Sequence, residues 1–292
     1  MRSTWRYVCS APRAGVAAIT LVVLALGACM SPGASSSAAS SEVATLSPAR
    51  IAEIIASPDR TGADRTNDLR RKPYEMLNFI GMRPGIVALD LSAGGGYTSE
   101  LLARSTGPTG RVYAQSAPRV PRPAPAEPEG AATPVAAASA LAGAASRPVP
   151  AGLAVRAKRV DNIVVVVQPF EDPVPAASAS NGLDLVTLMF NYHDLGFMGV
   201  DRAGMNRAVF AALKPGGLYV IADHSGRPGT GISESGTLHR IEETFLRKEV
   251  ESAGFTLLAS GNFLRNPTDP RDRNTPDPPQ PKDEFVLKFV KR

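Results

Sequence analysis

The segment from Val87 to Ala103 constrains the fold more than any other part of this 292-residue chain. It reads Val-Ala-Leu-Asp-Leu, then Ser-Ala-Gly-Gly-Gly, then Tyr-Thr-Ser-Glu-Leu-Leu-Ala. An apolar run, a glycine-rich stretch and a helix-forming stretch in that order predict a buried strand, a tight loop and a helix. Glycine lets the backbone approach a ligand closely, and the start of a helix offers free N–H groups. The segment therefore predicts a β–loop–α unit with a ligand site at its loop.

The rest of the chain alternates between apolar, β-branched runs and stretches with helical periodicity. This alternation predicts a single α/β domain with a doubly wound, mostly parallel sheet. The last two apolar runs lie close together and predict a closing antiparallel pair. Further strands are predicted at 110–115, 163–167, 183–190, 218–222, 255–260 and 285–290, and helices at 49–79 with a break at Pro73, at 202–213 and at 235–252.

The first 28 residues are predicted to be an export signal. Arg2, Arg6 and Arg13 precede an apolar stretch, 16–26, that is too short to be a convincing membrane span. The stretch ends in Leu-Gly-Ala-Cys, which resembles a bacterial lipobox and implies that Cys29 is lipidated. An ordinary signal peptide with small residues near its cleavage site is the alternative. Since Met30 rather than an aspartate follows Cys29, the resemblance favours the outer membrane, with the domain facing the periplasm.

Composition divides the remaining chain into a tether, a domain and an insertion. Residues 29–48 are rich in Ser and Ala and are predicted to be a flexible tether, and 49–292 form the domain. Eight prolines lie between Pro118 and Pro150, so about 117–150 is predicted to loop out as a Pro/Ala-rich insertion. Cys9 and Cys29 are the only cysteines, which excludes a disulfide or a thiolate metal site in the mature domain.

The charge of the chain does not indicate nucleic acid as a partner. The formal net charge is +5, but three positive charges lie in the first 28 residues, which contain no acid, so the remainder carries only +2. Lysines and arginines also do not cluster with aromatic residues. We expect a small-molecule partner and contact with a membrane only through the N-terminal lipid.

Several motifs occur in the order typical of Rossmann-like S-adenosylmethionine (SAM) methyltransferases. The glycine loop resembles the first motif of that family, an acid at a strand end with small residues two, four and six positions later. A dinucleotide fingerprint fits less well because Ser99 stands at its third glycine position. Met-Arg-Pro-Gly at 82–85 resembles the turn before the first family strand, 183–186 the fourth strand, and Ala-Leu-Lys-Pro-Gly-Gly at 212–217 the turn before the fifth. The resemblance covers about residue 63 to the C-terminus.

The resemblance implies SAM as the cofactor and assigns residues to it. Asp90 would hold the amino-acid end of the donor, or would instead cap backbone N–H groups of the loop. Gln115 stands where such enzymes usually carry an acid for the ribose hydroxyls, and an amide can still accept one bond. Tyr97 and Tyr192 would stack on adenine or substrate, or would pack in the core. The remaining implied cofactor-binding residues are Ser92, Gly94, Gly95, Gly96 and Asn191.

The family strand order would place the first, fourth and fifth strands side by side, so that 191–194 and 223–225 would meet Asp90 at one rim. His193 is the candidate general base there, because imidazole suits that role near neutral pH; a structural histidine bonded to Asp194 is the alternative. His224 would orient His193, bind substrate or close the strand end. Asn191 would orient the acceptor or the donor, or would form a turn.

A metal site is a separate hypothesis, although our main prediction includes no metal. His239 and Glu243 are four residues apart and share a face of the predicted helix 235–252. Together with His193 and His224 they could provide the imidazole and carboxylate ligands that suit zinc or iron. An ordinary pair of residues on a helix face is the alternative.

The predicted function and the predicted location conflict. SAM-dependent methyl transfer to a small acceptor requires a donor that is made in the cytoplasm, whereas the signal would place the domain in the envelope. Either the donor reaches the envelope, or the signal is not used and the protein stays in the cytoplasm, or the fold has been reused. The alternatives to a methyltransferase are therefore a non-catalytic ligand-binding lipoprotein and a histidine-based metal enzyme.

Overall fold

The computed structural model describes residues 44–118, 149–274 and 280–292. Seven strands form one sheet in the order β3-β2-β1-β4-β5-β7-β6. The first five pair in parallel, and β7 runs antiparallel between β5 and β6, which confirms the predicted fold class. The strands are β1 (Val87–Leu91), β2 (Arg111–Ser116), β3 (Ile163–Val167), β4 (Leu183–Met189), β5 (Leu213–His224), β6 (Thr256–Gly261) and β7 (Glu284–Val290).

Helices cover both faces of the sheet. On one face, α1, α3, α4 and α5 pack against a buried apolar cluster, and on the other face α6, α7 and α8 pack against a second cluster. A single turn of 3₁₀ helix lies at Ala176–Ser178. The α-helices are α1 (Pro48–Ala56), α2 (Gly62–Arg71), α3 (Pro73–Ile80), α4 (Tyr97–Thr106), α5 (Ala151–Arg159), α6 (Tyr192–Phe197), α7 (Arg202–Ala212) and α8 (Glu243–Ser252).

Strand alternation distributes the residues of β1 between the two faces. Leu89 and Leu91 belong to one apolar cluster and Ala88 to the other. Asp90 therefore points towards the face covered by α4, as does Thr187, its register partner on β4. The strand order reverses between β1 and β4, so the crevice between their carboxyl ends is the switch point of the sheet, where open α/β sheets bind ligands.

Several predicted elements differ from the structure. The predicted helix 49–79 is three helices: it breaks after Ala56 and again at Lys72, where Pro73 starts α3 as expected. The predicted helix 235–252 is wrong over its first half, since α8 begins only at Glu243. The preceding residues form turns, and Gly236 packs so closely on Phe197 that an added Cβ would lie 2.9 Å from its ring. The sequence analysis did not predict α5 or α6.

The predicted signal 1–28, Cys29, the tether up to residue 43 and insertion residues 119–148 lie outside the described residues. Residues 44–47 lead into α1, and residues 149 and 150 lead into α5. None of the helices in the described ranges is long and apolar enough to cross a membrane.

Gly96 is the tightest point of the glycine loop. Its φ is +81°, and a Cβ there would lie 2.8 Å from Leu153 and 2.9 Å from Arg156, both on α5. We expect Gly96→Ala to lower the free energy of unfolding by about 2 kcal/mol, because the side chain would add a clash to a strained backbone. Urea unfolding of the variant measures this cost.

Gly95→Ala is the matched control for the loop substitution. A Cβ at Gly95 meets no atom within 4 Å, and its φ lies outside the left-handed region. The control should keep nearly the stability of the wild type. Equal unfolding free energies for the two variants would contradict the packing described here.

Candidate functional site

The exposed tip of the glycine loop faces open space. Gly94 and Gly95 are exposed, whereas Gly96 is buried under α5. Gln115 on β2 fixes the backbone of the loop. The N–H of Ser92 donates to Oε1 of Gln115 at 2.9 Å, and the N–H of Ala93 donates to the backbone carbonyl of Gln115 at 2.8 Å. Ser92 itself has a φ of +54°. The loop is therefore a rigid cradle whose outer side can receive a ligand.

Asp90 lies under this loop and does not reach its open side. Its carboxylate is buried, and it accepts bonds from the hydroxyls of Ser99 at 2.6 Å and Thr187 at 2.8 Å. Burial raises the pKa of Asp90 to about 6, although the two hydroxyls oppose that shift. In this arrangement Asp90 ties α4 to β4, and the predicted direct contact with a donor stays a prediction.

Gln115 supports the loop with both ends of its amide. Besides accepting from Ser92, it donates from Nε2 to the carbonyl of Gln168 at 2.7 Å, and the residue is fully buried. Because Gln115 is fully buried, a direct bond from its amide to a ribose would require the side chain or the loop above it to move. The last residue of β2, Ser116, is partly exposed.

Asn191 connects the glycine loop to the end of β4. Its Oδ1 accepts from the Ser92 hydroxyl at 2.6 Å across the switch point, and its Nδ2 donates to Oδ2 of Asp194 at 2.9 Å. The preceding residue, Phe190, has a φ of +60°, which turns the chain out of the strand at the rim. Asn191 thus couples the two halves of the predicted site.

His193 is buried between two carboxylates. Its Nδ1 lies 2.6 Å from Asp223, and its Nε2 lies 3.1 Å from Asp194. Burial lowers the pKa of His193, but the bonds to Asp194 and Asp223 outweigh burial and raise the pKa to about 9. With both nitrogens so engaged, Nε2 of His193 can bind another group only after it loses the proton that it shares with Asp194. The predicted general-base role stays a prediction, and it would require Asp194 to move away.

His224 follows Asp223 at the end of β5, with its ring 5.2 Å from that of His193. Its Nδ1 lies 3.0 Å from Oε1 of Glu284 without the alignment of a hydrogen bond. Burial lowers the pKa of His224 to about 3, and it raises the pKa of Glu284 to about 7 against the opposing effect of Arg70. The antiparallel direction of β7 brings Glu284 to this rim, which the sequence analysis missed.

His239 also reaches the rim, but from a turn and not from a helix. Its Nδ1 lies 2.8 Å from Oδ1 of Asp194, and its side chain is 39% exposed. Glu243, which we had grouped with it, forms an ion pair with Arg265 at 2.5 Å instead. The four-residue set suggested as a metal site is therefore not assembled, and His193, Asp194 and His239 form a smaller cluster whose donor atoms all lie within 4.8 Å of one another.

Arg71 lies between the two aromatic rings that flank the loop. Its guanidinium carbon is 5.2 Å from the ring centre of Tyr97 and 4.8 Å from that of Phe190. Its Nε is buried without a hydrogen bond, and within the described ranges the guanidinium forms no ion pair. The sequence analysis did not single out Arg71, because nothing in Leu-Arg-Arg-Lys-Pro distinguishes it from a surface arginine.

The two candidate tyrosines have different environments. Tyr97 is half-buried and donates from its hydroxyl to Asp68 at 2.7 Å, so its ring faces the site edge. Tyr192 is fully buried, donates to Glu249 at 3.1 Å and accepts from Asn206 at 2.8 Å. Of the two alternatives for Tyr192, the structure shows core packing.

Comparisons with solved structures find proteins that are similar to this chain. A SAM-dependent methyltransferase from Aquifex aeolicus has a TM-score of 0.51 at 17% identity, and the match covers 85% of this chain and all of that one. Fibrillarin from Aeropyrum pernix, solved with bound SAM, has a TM-score of 0.42 at 17% identity over 71% and 67% of the two chains. A TehB-like SAM-dependent methyltransferase from Corynebacterium glutamicum has a TM-score of 0.43 at 15% identity over 82% and 93%.

The similarity to the Aquifex structure establishes a shared fold, which is the Rossmann-like fold of a SAM-dependent methyltransferase. At 17% identity it does not establish an activity. No protein-family model matches the sequence, and no curated protein matches it either.

The buried carboxyl of Asp90 generates a prediction about pH. Its ordinary pKa is 3.8, and in the folded protein it is about 6. Between these values the folded state retains a proton that the unfolded state has lost, so this group makes stability fall as pH rises. Asp90→Asn does not titrate. We therefore expect the unfolding free energy of the wild type, relative to Asp90→Asn, to fall by about 2 kcal/mol between pH 4 and pH 7.

Urea unfolding of both proteins at several pH values measures this difference, and the groups that both share cancel in the comparison. A difference that stays constant from pH 4 to pH 7 would contradict the buried, proton-binding carboxyl. That result would indicate that Asp90 is ionised throughout this pH range, as the alternative role in ligand binding requires.

Proposed function

We propose that this protein binds SAM over the glycine loop and transfers its methyl group to a small acceptor. Three observations support the proposal: the fold shared with a SAM-dependent methyltransferase, the motif resemblance around the loop, and the open space above Gly94 and Gly95. The single observation that carries it is Arg71 next to that loop, because its Nε is buried without a hydrogen bond and its guanidinium forms no ion pair within the described residues.

The residues present fit the amino-acid end of SAM. Arg71 is partly exposed, and the charges of Asp90 and Glu284 act on it without a direct ion pair to either, so a ligand carboxylate would supply a direct partner. Arginine is the side chain best suited to that task, because its planar fork binds a carboxylate through two parallel hydrogen bonds. The rings of Tyr97 and Phe190 hold the guanidinium in place from two sides.

The fit at the ribose end is less complete. The acceptor oxygen of Gln115 is engaged with Ser92, so Gln115 supports the cradle and does not face the ligand. We therefore propose that the donor is held mainly through its amino-acid end and through the backbone of Gly94 and Gly95. This proposal assigns a structural role to Asp90 and Gln115, and a binding role to Arg71.

When bound, SAM supplies an electrophilic methyl group on a sulfonium. The contribution of this chain is alignment and exclusion of water. Ser92 and Asn191 fix the loop against the end of β4 through their 2.6 Å hydrogen bond. The half-exposed side chains of Asp194 and His239 border the same crevice, so the acceptor would approach from that side.

The test is calorimetric titration of the full-length protein with SAM, S-adenosylhomocysteine and 5′-methylthioadenosine. We expect Arg71→Gln to weaken binding of the first two at least about tenfold, because a charge-assisted carboxylate bond is lost. Binding of 5′-methylthioadenosine should be the same for both proteins, since it lacks the amino-acid end. Arg50→Gln, on the exposed surface of α1, is the matched control and should bind all three ligands like the wild type.

Two outcomes would reject parts of this proposal. Equal affinity of wild type and Arg71→Gln for S-adenosylhomocysteine would remove Arg71 from the site. Failure of the folded wild type to bind any of the three ligands at millimolar concentration would remove the donor site. It would favour the alternative of a ligand-binding protein that reuses the fold, which the occupied amide of Gln115 also supports.

We also propose that the protein is exported and lipid-anchored at Cys29, facing the periplasm from the outer membrane. The basic residues before the apolar stretch 16–26 and the Leu-Gly-Ala-Cys motif support this location. In a bacterial host, labelled palmitate should be incorporated into the wild type and into Cys9→Ser, but not into Cys29→Ser. Labelling of Cys29→Ser at the level of the wild type would contradict the anchor.

A further inference from the structure

Three side chains from two separate segments converge at the rim of the sheet. His193 and Asp194 lie in the first turn of α6, and His239 lies in the turn that precedes the bridge between Ser225 and Ile241. Oδ1 of Asp194 is 3.1 Å from Nε2 of His193 and 2.8 Å from Nδ1 of His239. Two imidazole nitrogens and one carboxylate oxygen thus point at a common volume.

In His193 and Asp194, the atoms that face away from this cluster are already bonded. Nδ1 of His193 lies 2.6 Å from the fully buried carboxylate of Asp223. The second oxygen of Asp194 accepts from Nδ2 of Asn191 at 2.9 Å. Metal-binding histidines typically donate their other ring N–H to a carboxylate, and metal-binding carboxylates are themselves hydrogen-bonded. The outer contacts of a metal site are therefore in place.

The backbone at His239 has a strained conformation, and contacts of the following residues maintain it. Its φ is +51°, an unusual conformation for a residue that has a side chain. The segment after His239 is hydrogen-bonded to the end of β5. The N–H of Ile241 donates to the carbonyl of His224 at 3.1 Å, and the N–H of Gly226 donates to the carbonyl of Ile241 at 2.7 Å. The buried ion pair of Arg240 with Asp269, 2.8 Å long, holds it as well. Strain that the surroundings enforce is typical of functional positions.

We propose that His193, Asp194 and His239 bind a divalent metal ion, zinc in the first instance. Two imidazoles and one carboxylate are a common zinc ligand set. Donor atoms about 2.0–2.1 Å from a tetrahedral ion lie roughly 3.4 Å apart. The two separations from Asp194, 3.1 and 2.8 Å, would widen by roughly 0.3–0.6 Å, and the two histidine nitrogens, which lie within 4.8 Å of each other, would adjust to the same spacing.

The site keeps an open coordination position on its outer side. The side chains of His239 and Asp194 are 39% and 26% exposed, whereas that of His193 is 3% exposed. His224 is not a ligand, since its Nδ1 faces Glu284, and Glu243 is held by Arg265. The site shares Asn191 with the proposed donor loop, but its metal binding does not depend on SAM.

The test is titration of the metal-free, full-length protein with zinc. Cys9→Ser and Cys29→Ser are included in every protein so that thiols do not bind the metal. We expect one equivalent to bind, zinc to raise the melting temperature, and His239→Gln and Asp194→Asn each to weaken binding at least about 100-fold. Glu243→Gln is the matched control and should bind zinc like the parent protein, because it tests the ligand set suggested by sequence spacing alone.

His239 is partly exposed, so His239→Gln is expected to fold, and its circular dichroism without zinc checks this directly. Absence of zinc binding by the parent protein at 100 µM zinc would overturn the site. Undiminished binding by His239→Gln would overturn it as well. Loss of binding in Glu243→Gln with retention in His239→Gln would assign the metal to different ligands. None of these readouts involves methyl transfer, so they leave the proposed donor site untouched.

Discussion

The parallel pairing of β1 with β4 is the constraint on which the rest of the site depends. This pairing sets Asp90 beside Thr187 in register, and the bonds from Thr187 and Ser99 then allow a carboxylate to lie in the sheet interior. It also brings Ser92 and Asn191 face to face at the carboxyl ends of the two strands. Since the strand order reverses here, the crevice beside the loop is the position at which open α/β sheets bind ligands.

A second buried network fixes the other side of the loop. Arg156 on α5 donates to Asp64, to Glu100 and to the carbonyl of Gly95, and both acids are fully buried. Such charges are tolerated because each is paired. Removing one partner would leave the others buried without a counter-charge, which carries a large desolvation cost. The network joins α2, α4 and α5, three helices that are distant in sequence. It holds the backbone of the glycine loop in a single position.

Much of the architecture could be predicted from the sequence, whereas the chemistry of the site could not. Apolar runs and glycine-rich turns are local signals, so five parallel strands and the antiparallel closing pair were predicted within one or two residues for most elements. The helix predicted at 235–252 failed because tertiary contacts of Gly236 and Arg240 override local propensity. Similarly, α6 is only six residues long, too short to produce a periodic pattern.

The resemblance of the sequence to a methyltransferase family predicted that the ends of β1, β4 and β5 lie side by side, and the strand order confirms this. The sequence thus predicted which strand ends carry Asn191, His193 and His224. It did not determine what each side chain faces, because partner choice depends on distances across the sheet that no local pattern encodes. Only the tertiary structure turned Asp90 and Gln115 inward, placed Arg71 between two rings with its Nε buried and without a hydrogen bond, and brought His239 to Asp194. The physical reason is that burial and pairing of charge are properties of the packed chain, whereas strand and loop patterns are properties of its neighbouring residues.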